Sequence, residues 1–243
     1  MMNYPKHVGL IPDGNRTWAK TQNIPKFWGH LEGFNRCIEL CNHIFTNTDI
    51  KVFSIWGLST ENRKGRTNEE LDYLFGLYKK VPINLEKFLK EKKVNFRFVG
   101  NLDGIPKDLA DFLKDKQKEL TFDTDKYLVL AINYGGRDEV VRGIKNMASN
   151  MIQQGKYNLN DIQDDITEEN LSKHLDFGDL PNIELVIRTK GNLAKRLSGF
   201  MLWWVGYAEL YFSEKKCPEF NSKDLDEALS WFNNVYKERN FGK

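Results

Sequence analysis

The chain has few cysteines, and their spacing limits the kinds of site that they can form. Only Cys37, Cys41 and Cys217 occur among the 243 residues, and no two of them form a Cys-x-x-Cys pair. Zinc sites and disulfide frameworks need paired cysteines at characteristic spacings, so the pattern favours neither. We interpret the three thiols as small buried residues of a protein in a reducing cytoplasm.

Long apolar runs, an excess charge and domain linkers are also missing. No run approaches the roughly 20 apolar residues of a membrane-spanning helix, and no charged and then apolar leader precedes the first apolar strand. The 36 Lys and Arg nearly balance the 34 Asp and Glu, which excludes the basic footprint of a nucleic-acid-binding protein. No repeat or Gly/Ser-rich tract divides the chain, so we expect a single domain over residues 1–243.

The sequence does contain a regular alternation of apolar runs and helical segments. Runs rich in Val, Ile and Phe lie at residues 7–11, 51–58, 95–99, 127–132, 184–187 and 209–212. Segments of helical period lie mostly between them, at residues 31–45, 68–92, 107–119, 137–154, 168–175 and 222–239. This alternation predicts an α/β fold, with a central, mostly parallel six-stranded sheet flanked by helices on both faces.

Segment 68–92 is unusually long, and one of its faces is apolar, with Leu74, Tyr78, Val81 and Leu85 on it. Packing in the core explains this face without any ligand. The sharper alternative is that this segment and residues 31–45 wall an elongated apolar tunnel.

The first candidate site follows the first strand, where Pro12-Asp13-Gly14-Asn15-Arg16 leads into a helical pattern that includes Trp18. A strand that turns sharply into a helix leaves unpaired backbone N–H groups, which suit a phosphate. A carboxylate there is electrostatically misplaced unless a cation accompanies it, so Asp13 suggests Mg²⁺. The alternative is that Asp13 merely caps the helix.

A second polar cluster follows the second strand, where Ser59, Thr60, Glu61 and Asn62 precede several basic residues. Parallel sheets bind ligands outside the carboxyl ends of their strands. A solvated turn is the alternative, with Thr67 as the N-cap of the long helix and acidic residues in its first turn. That alternative leaves residues 59–62 unexplained.

A third cluster surrounds the last two strands. Arg188 ends a strand, and Arg196 and Ser198 are predicted to begin a helix that could hold a diphosphate. Glu209 lies in an otherwise apolar strand, where an unpaired carboxylate would be costly. Its partner is either an arginine of this chain or of a symmetry mate, or the same Mg²⁺ that Asp13 would bind.

Together these segments resemble the cis-prenyltransferase family of the undecaprenyl diphosphate synthase type. The resemblance extends from residue 7 to about residue 220 and rests on motifs in the family's order. These are His-Val-x-x-Ile-x-Asp-Gly-Asn-Arg at 7–16, Gly29-His30, Ser59-x-Glu61-Asn62, Asn133-Tyr134-Gly135-Gly136-Arg137, Ile187-Arg188-Thr189, Arg196-x-Ser198-x-Phe200 and Tyr207-Ala208-Glu209-Leu210-Tyr211-Phe212.

The resemblance implies Mg²⁺-dependent head-to-tail condensation of isopentenyl diphosphate with an allylic diphosphate, such as farnesyl or geranylgeranyl diphosphate, to give a Z-polyprenyl diphosphate. It also implies a cytoplasmic homodimer that can associate peripherally with membranes through its lipid product. A non-catalytic subunit of another prenyltransferase is the alternative function.

The resemblance also assigns roles to particular residues. Asp13 and Asn62 are catalytic, with Ser59 assisting Asn62 in the removal of a proton, and Asp13 and Glu209 bind Mg²⁺. The substrate-binding residues are Gly14, Asn15, Arg16, Thr17, Trp18, Lys26, His30, Ser59, Thr60, Glu61, Arg63, Arg66, Arg188, Arg196, Leu197 and Ser198.

Three of these positions depart from the family's pattern. Thr17 replaces a second arginine, Lys26 replaces an arginine, and Arg63 replaces an aromatic residue. We therefore hypothesise that Arg63 compensates for the weakened phosphate contacts at Thr17 and Lys26.

Overall fold

Six strands and nine α-helices lie in the parts of the chain that the computed structural model describes, residues 2–192 and 195–238. The strands are β1 (His7–Ile11), β2 (Val52–Trp56), β3 (Asn95–Val99), β4 (Tyr127–Ala131), β5 (Leu185–Arg188) and β6 (Glu209–Phe212). The helices are α1 (Asn15–Thr21), α2 (Lys26–Asn47), α3 (Thr60–Gly65), α4 (Asn68–Lys92), α5 (Lys107–Glu119), α6 (Gly136–Gln153), α7 (Leu159–Ile162), α8 (Glu168–Lys173) and α9 (Ser222–Glu238).

The strands form one sheet in the order β3-β4-β2-β1-β5-β6, and every recorded pairing is parallel. Alternate strand residues point to opposite faces, and each face carries its own apolar cluster. Val8 and Phe53 belong to the cluster that includes residues of α2, α4, α5 and α9, whereas Val52 and Trp56 pack with Phe200 and Trp204 on the other face. The predicted α/β fold with helices on both faces is confirmed.

The order of the strands locates a crevice at the carboxyl end of β1. The chain adds β2, β4 and β3 on one side of β1, and only later adds β5 and β6 on the other side. Parallel sheets bind ligands where the direction of winding changes in this way. Asp13 follows β1 and Arg188 ends β5, so two candidate residues meet at this point.

Helices α1 and α2 pack together through glycines. A Cβ atom on Gly29 would lie 2.2 Å from the carbonyl oxygen of Asn15, and one on Gly33 would lie 2.3 Å from Asn15 Oδ1. The apolar periodicity that predicts a helix over residues 31–45 gives no indication of such a contact between glycine and backbone. The observed helix α2 therefore begins five residues earlier than predicted, after Pro25.

One local prediction and one alternative interpretation are wrong. No helix begins at Arg196 and Ser198, because the described residues 195–204 form turns with positive φ at Ser198 (53°), Gly199 (89°) and Met201 (47°). L residues do not continue a right-handed helix in that conformation. Residues 60–65, for which a solvated turn was the alternative interpretation, instead form α3. Arg239, the last residue of a predicted helix, lies outside the described residues. Within those residues, the helices offer no segment with the length and apolarity needed to cross a membrane.

Candidate active site

A cavity of about 430 Å³ opens at the carboxyl end of β1 and extends under helices α2 and α4. Its inner wall is apolar and its mouth is polar. The apolar wall includes Phe34, Cys37, Ile38, Ile55, Leu74, Leu77, Val81, Leu85 and Leu130. The polar mouth includes Asp13, Gly14, Asn15, Arg16, Thr17, His30, Ser59, Glu61, Asn62, Arg66, Arg188, Lys190, Arg196 and Ser198. Three segments that are distant in sequence thus meet around one cavity.

The mouth carries an excess of positive charge. The basic side chains that line it in the described part of the chain are Arg16, Arg66, Arg188, Lys190 and Arg196, and the acidic ones are Asp13 and Glu61. His30 adds no charge at neutral pH, since burial, opposed by a hydrogen bond with Glu70, lowers its pKa. An excess of three positive charges suits a ligand with the charge of a diphosphate.

Asp13 contacts the cavity rather than capping α1. Its Oδ2 accepts a hydrogen bond from Arg188 Nη2 at 2.9 Å, and its Oδ1 accepts one from the N–H of Gly14 at 2.7 Å. The N-cap of α1 is Gly14, with φ 105° and no side-chain cap. The capping alternative for Asp13 is therefore wrong.

Arg188 connects the first and third sequence clusters. Its buried guanidinium donates to Asp13, to Ser198 Oγ at 2.9 Å and to the carbonyl oxygen of Arg196. Its Nε is buried and has no partner among the described residues. Because a buried donor without a partner is costly, this atom indicates that the site is completed by a ligand or water.

The second cluster is held by the cap of α3. Ser59 Oγ accepts a hydrogen bond from the N–H of Asn62 at 2.9 Å, which fixes Asn62 in the first turn of the helix. The N–H of Thr60 donates to the carbonyl oxygen of Tyr134, at the end of β4. Ser59 and Asn62 therefore line the cavity from a position braced by two neighbouring strands.

Glu70 gathers three basic side chains beside the cavity, a role that no motif in the sequence indicates. It accepts hydrogen bonds from Lys26 Nζ (3.0 Å), His30 Nε2 (2.9 Å) and Arg66 Nη1 (2.5 Å), and only 2% of its surface is exposed. Burial alone would raise the pKa of its carboxyl, but the bonds from Lys26 and His30 and the charge of Arg66 lower it to about 2. Thr67 caps α4 as predicted, and Glu70 lies in the first turn that follows. Capping alone therefore explained an acidic residue at this position, without a contact to the cavity.

Six predicted site residues do not line the cavity. Lys26 reaches Glu70 instead, and Thr60 faces Gly135. Leu197 packs against the apolar cluster that contains Phe200 and Trp204. Trp18 lies in α1 outside the lining, and the guanidinium of Arg63 lies against the backbone of Gly104, 3.2 Å from an added Cβ. Arg63 therefore does not reach Thr17 or Lys26, so its hypothesised compensation has no support in this geometry.

Glu209 is the sixth of these residues, and the sheet register separates it from Asp13. Glu209 pairs with Leu185 at the start of β5, whereas Asp13 lies two residues beyond Ile11, which pairs with Arg188 at the end of β5. The two carboxylates thus lie toward opposite ends of the sheet. Glu209 is partly exposed on an edge strand, so the cost of burial expected for it does not arise.

A metal ion fits this site only together with a ligand that supplies oxygens. In the described residues, no group of three His, Cys, Asp or Glu side chains could hold a metal. Asp13 is a single carboxylate with 41% of its side chain exposed. Mg²⁺ is commonly bound by one or two carboxylates and by phosphate oxygens of the substrate, which agrees with this donor set.

Comparisons with known proteins agree with one another. A prenyltransferase family model described as undecaprenyl diphosphate synthase matches residues 11–242. An isoprenyl transferase of Treponema denticola is 35% identical over 235 residues, which cover 97% of this chain and 95% of the relative. A tritrans,polycis-undecaprenyl-diphosphate synthase of Thermoplasma volcanium, specific for geranylgeranyl diphosphate, is 36% identical and covers 98% of this chain and 89% of the relative.

Two further matches come from a bacterium and a plant. A Vibrio vulnificus ditrans,polycis-undecaprenyl-diphosphate synthase, specific for (2E,6E)-farnesyl diphosphate, is 32% identical and covers 98% of this chain and 90% of the relative. The crystal structure of lavandulyl diphosphate synthase from Lavandula x intermedia, in complex with dimethylallyl diphosphate, superposes with a TM-score of 0.83. It is 29% identical in sequence and covers 99% of both chains.

Proposed function

The chain belongs to the prenyltransferase family of undecaprenyl diphosphate synthases, and we propose that it condenses isopentenyl diphosphate with an allylic diphosphate to give a Z-polyprenyl diphosphate. Relatives named as specific for farnesyl or geranylgeranyl diphosphate support either of these as the allylic substrate. The observation that carries the proposal is the single cavity that joins an arginine-rich mouth to an apolar wall.

The side chains at the mouth suit binding of the two diphosphates. We assign Arg188, Arg196 and Ser198 to isopentenyl diphosphate, and the segment from Asp13 to Arg16, with His30 beside it, to the allylic diphosphate. When the allylic C–O bond breaks, its electron pair goes to the leaving diphosphate. Arginines already oriented toward the site stabilise the charge as it develops.

The new C–C bond takes its electrons from the double bond of isopentenyl diphosphate, and the resulting cation passes one proton to the released diphosphate. Asn62, fixed by Ser59 at the start of α3, assists the removal of that proton. The apolar wall excludes water from the cationic intermediate, which water would otherwise consume.

Prenyl diphosphate synthases generally use a divalent metal, and we propose Mg²⁺ held by Asp13 and by diphosphate oxygens. When bound, Mg²⁺ neutralises negative charge on the leaving diphosphate. Because the register separates Glu209 from Asp13 within one chain, we propose that Glu209 serves the site of a second copy.

The apolar wall suits a growing isoprenoid tail, and we propose that the cavity functions as the tunnel for this tail. Each buried CH₂ is worth about 0.8 kcal/mol, so every added five-carbon unit strengthens retention of the product and slows its release. Residues 1–243 would form one catalytic domain. We further propose a cytoplasmic homodimer that associates peripherally with membranes through its lipid product.

The experiment measures incorporation of labelled isopentenyl diphosphate with farnesyl or geranylgeranyl diphosphate and Mg²⁺. We expect the wild type to form polyprenyl diphosphate, Asp13→Ala to lose at least about a hundredfold in rate, and chelation of Mg²⁺ to abolish the reaction. Asp123→Ala, a change at an exposed carboxylate remote from the cavity, is the matched control. A wild type that is folded but inactive alone, and active only with an added second prenyltransferase subunit, would instead support the non-catalytic alternative.

A further inference from the structure

Lys190 lines the mouth of the cavity, and neither the motifs nor the comparisons assign it a role. It lies two residues after Arg188 at the end of β5. Its Nζ donates a hydrogen bond to Thr17 Oγ1, in α1, at 2.9 Å. The side chain therefore spans from the third sequence cluster to the first and brings its ammonium to the helix that follows Asp13.

The charge of this ammonium has no carboxylate partner. No Asp or Glu among the described residues lies within 4.0 Å of Lys190 Nζ, and its partner Thr17 offers a neutral hydroxyl. Other lysines near the site are paired, since Lys26 contacts Glu70 and Lys216 contacts Glu219. Lys190 therefore contributes its full positive charge to the mouth of the cavity.

The backbone around Lys190 is held firmly. Thr189 Oγ1 donates to the carbonyl oxygen of Asp13 at 2.7 Å, and the N–H of Lys190 donates to the carbonyl oxygen of Lys215 at 2.7 Å. Lys190 has φ +54°, a left-handed conformation that non-glycine residues seldom adopt. These bonds keep the lysine in that conformation and set the direction in which its side chain leaves the chain.

We propose that Lys190 binds the allylic diphosphate and supplies the positive charge that Thr17, in place of an arginine, does not provide. This inference rests on the proposed function, since it assigns a residue to one substrate of that reaction. Position separates the two substrates' contacts. Lys190 reaches α1, next to Asn15 and Arg16, whereas Arg188 contacts Ser198 and the backbone of Arg196 as well as Asp13. Arg63, packed against Gly104, leaves this role to Lys190.

The test compares Lys190→Met with the double variant Thr17→Arg/Lys190→Met. Because a hydrogen bond to a charged group is lost, we expect Lys190→Met to raise the KM for farnesyl diphosphate about tenfold or more and to leave the KM for isopentenyl diphosphate within about twofold. The double variant, which returns the charge to α1, should recover most of the lost affinity. Lys20→Met is the matched control, because Lys20 is an exposed lysine of α1, the helix that contains Thr17, and does not line the cavity.

Binding without turnover separates this inference from the proposed function. Calorimetric titration of farnesyl diphosphate into the wild type and into Lys190→Met, without isopentenyl diphosphate, should show the same loss of affinity, and the loss should shrink at high salt. A wild type that condenses isopentenyl diphosphate while Lys190→Met keeps the same KM and dissociation constant would overturn the role of Lys190. A wild type that binds farnesyl diphosphate through Lys190 but forms no product would overturn the proposed reaction and leave Lys190 in place.

Discussion

At the scale of single residues, the buried Glu139 of α6 organises a hydrogen-bond network on the face of the sheet opposite the cavity. Glu139 has no exposed surface and accepts hydrogen bonds from the Tyr134 hydroxyl, from Trp204 Nε1 at 3.2 Å and from the N–H of Asp176 at 3.0 Å. Burial raises the pKa of its carboxyl to about 7, although these bonds oppose the shift. The backbone carbonyl oxygen of Tyr134 in turn accepts a hydrogen bond from the N–H of Thr60, so the network supports the start of α3.

This pKa predicts how stability depends on pH. The native state binds one more proton than the unfolded state between the ordinary carboxyl pKa of 4.5 and about 7. Unfolding free energy therefore falls as pH rises through that window, and the slope vanishes above it. In urea unfolding from pH 4.5 to 8, we expect the unfolding free energy of the wild type to fall by about 3 kcal/mol because of Glu139. In Glu139→Gln this fall should be absent. Glu214→Gln, at an exposed site, should follow the wild type; parallel curves for Glu139→Gln and wild type would contradict the assignment.

The residues of the site were predictable from sequence where a motif fixed them to the end of a strand. Asp13 and Asn62 come soon after β1 and β2, Arg188 ends β5, and parallel strands bring their carboxyl ends together. Glu70 and Lys190 were not predictable in this way. Glu70 resembles an ordinary first-turn acid, and the contact of Lys190 with Thr17 joins residues separated by 173 positions.

At the scale of elements, the close approach of α1 and α2 determines where Asn15 meets the cavity. A methyl group on Gly29 would collide with the backbone of Asn15, which cannot move without shifting α1. We expect Gly29→Ala to lower the unfolding free energy by about 1–3 kcal/mol through overpacking, and to reduce activity as Asn15 moves.

Gly76→Ala is the matched control for this prediction. An added Cβ at Gly76, inside α4, meets no atom within 4 Å. Its replacement should stabilise the protein by about 0.5–1 kcal/mol, because alanine favours the helix. Equal effects of the two substitutions in urea unfolding would show that the contact between α1 and α2 is not tight.

The elements themselves were predicted best where one physical signal dominated. Helix α4 was predicted over its exact bounds because its apolar face is long and Thr67 caps its start. The strands matched within two residues, since buried parallel strands are continuously apolar. The prediction of a helix beginning at Arg196 and Ser198 is wrong, because three left-handed residues prevent a helix there, and only one of the three is a glycine.

At the scale of the whole molecule, several apolar residues on α6, on β6 and in the segment before β6 remain exposed. Val141 and Ile144 lie one turn apart on α6, with 52% and 47% of their surfaces exposed, and Leu202 beside the start of α6 is 40% exposed. Leu210, on the edge strand β6, is 39% exposed. Exposed apolar residues on successive turns of a helix, such as Val141 and Ile144, are typical of association surfaces, which supports the proposed homodimer. The neighbouring Phe200 and Trp204 are buried in the core and do not contribute to this exposed surface.

Glu209 lies on the same edge strand, so the dimer and the metal site can be tested together. If Asp13 of one chain and Glu209 of its partner complete one site, Asp13→Ala and Glu209→Ala should each be nearly inactive alone. In an equal mixture, half of the dimers are hybrids, and each hybrid contains one intact site. Activity should therefore return to about a quarter of that of the wild type.

The recovery must depend on contact between the chains. Adding Ile144→Asp to both variants should abolish recovery and shift the sedimentation coefficient to that of a monomer, because a carboxylate opposes burial in an apolar interface. Ile83→Asp on α4, at a residue that is 50% exposed and distant from β6, should change neither result. A mixture that exchanges subunits yet stays inactive would show that Glu209 does not complete the partner's site. A wild type that sediments as a monomer at micromolar concentration would reject the homodimer itself.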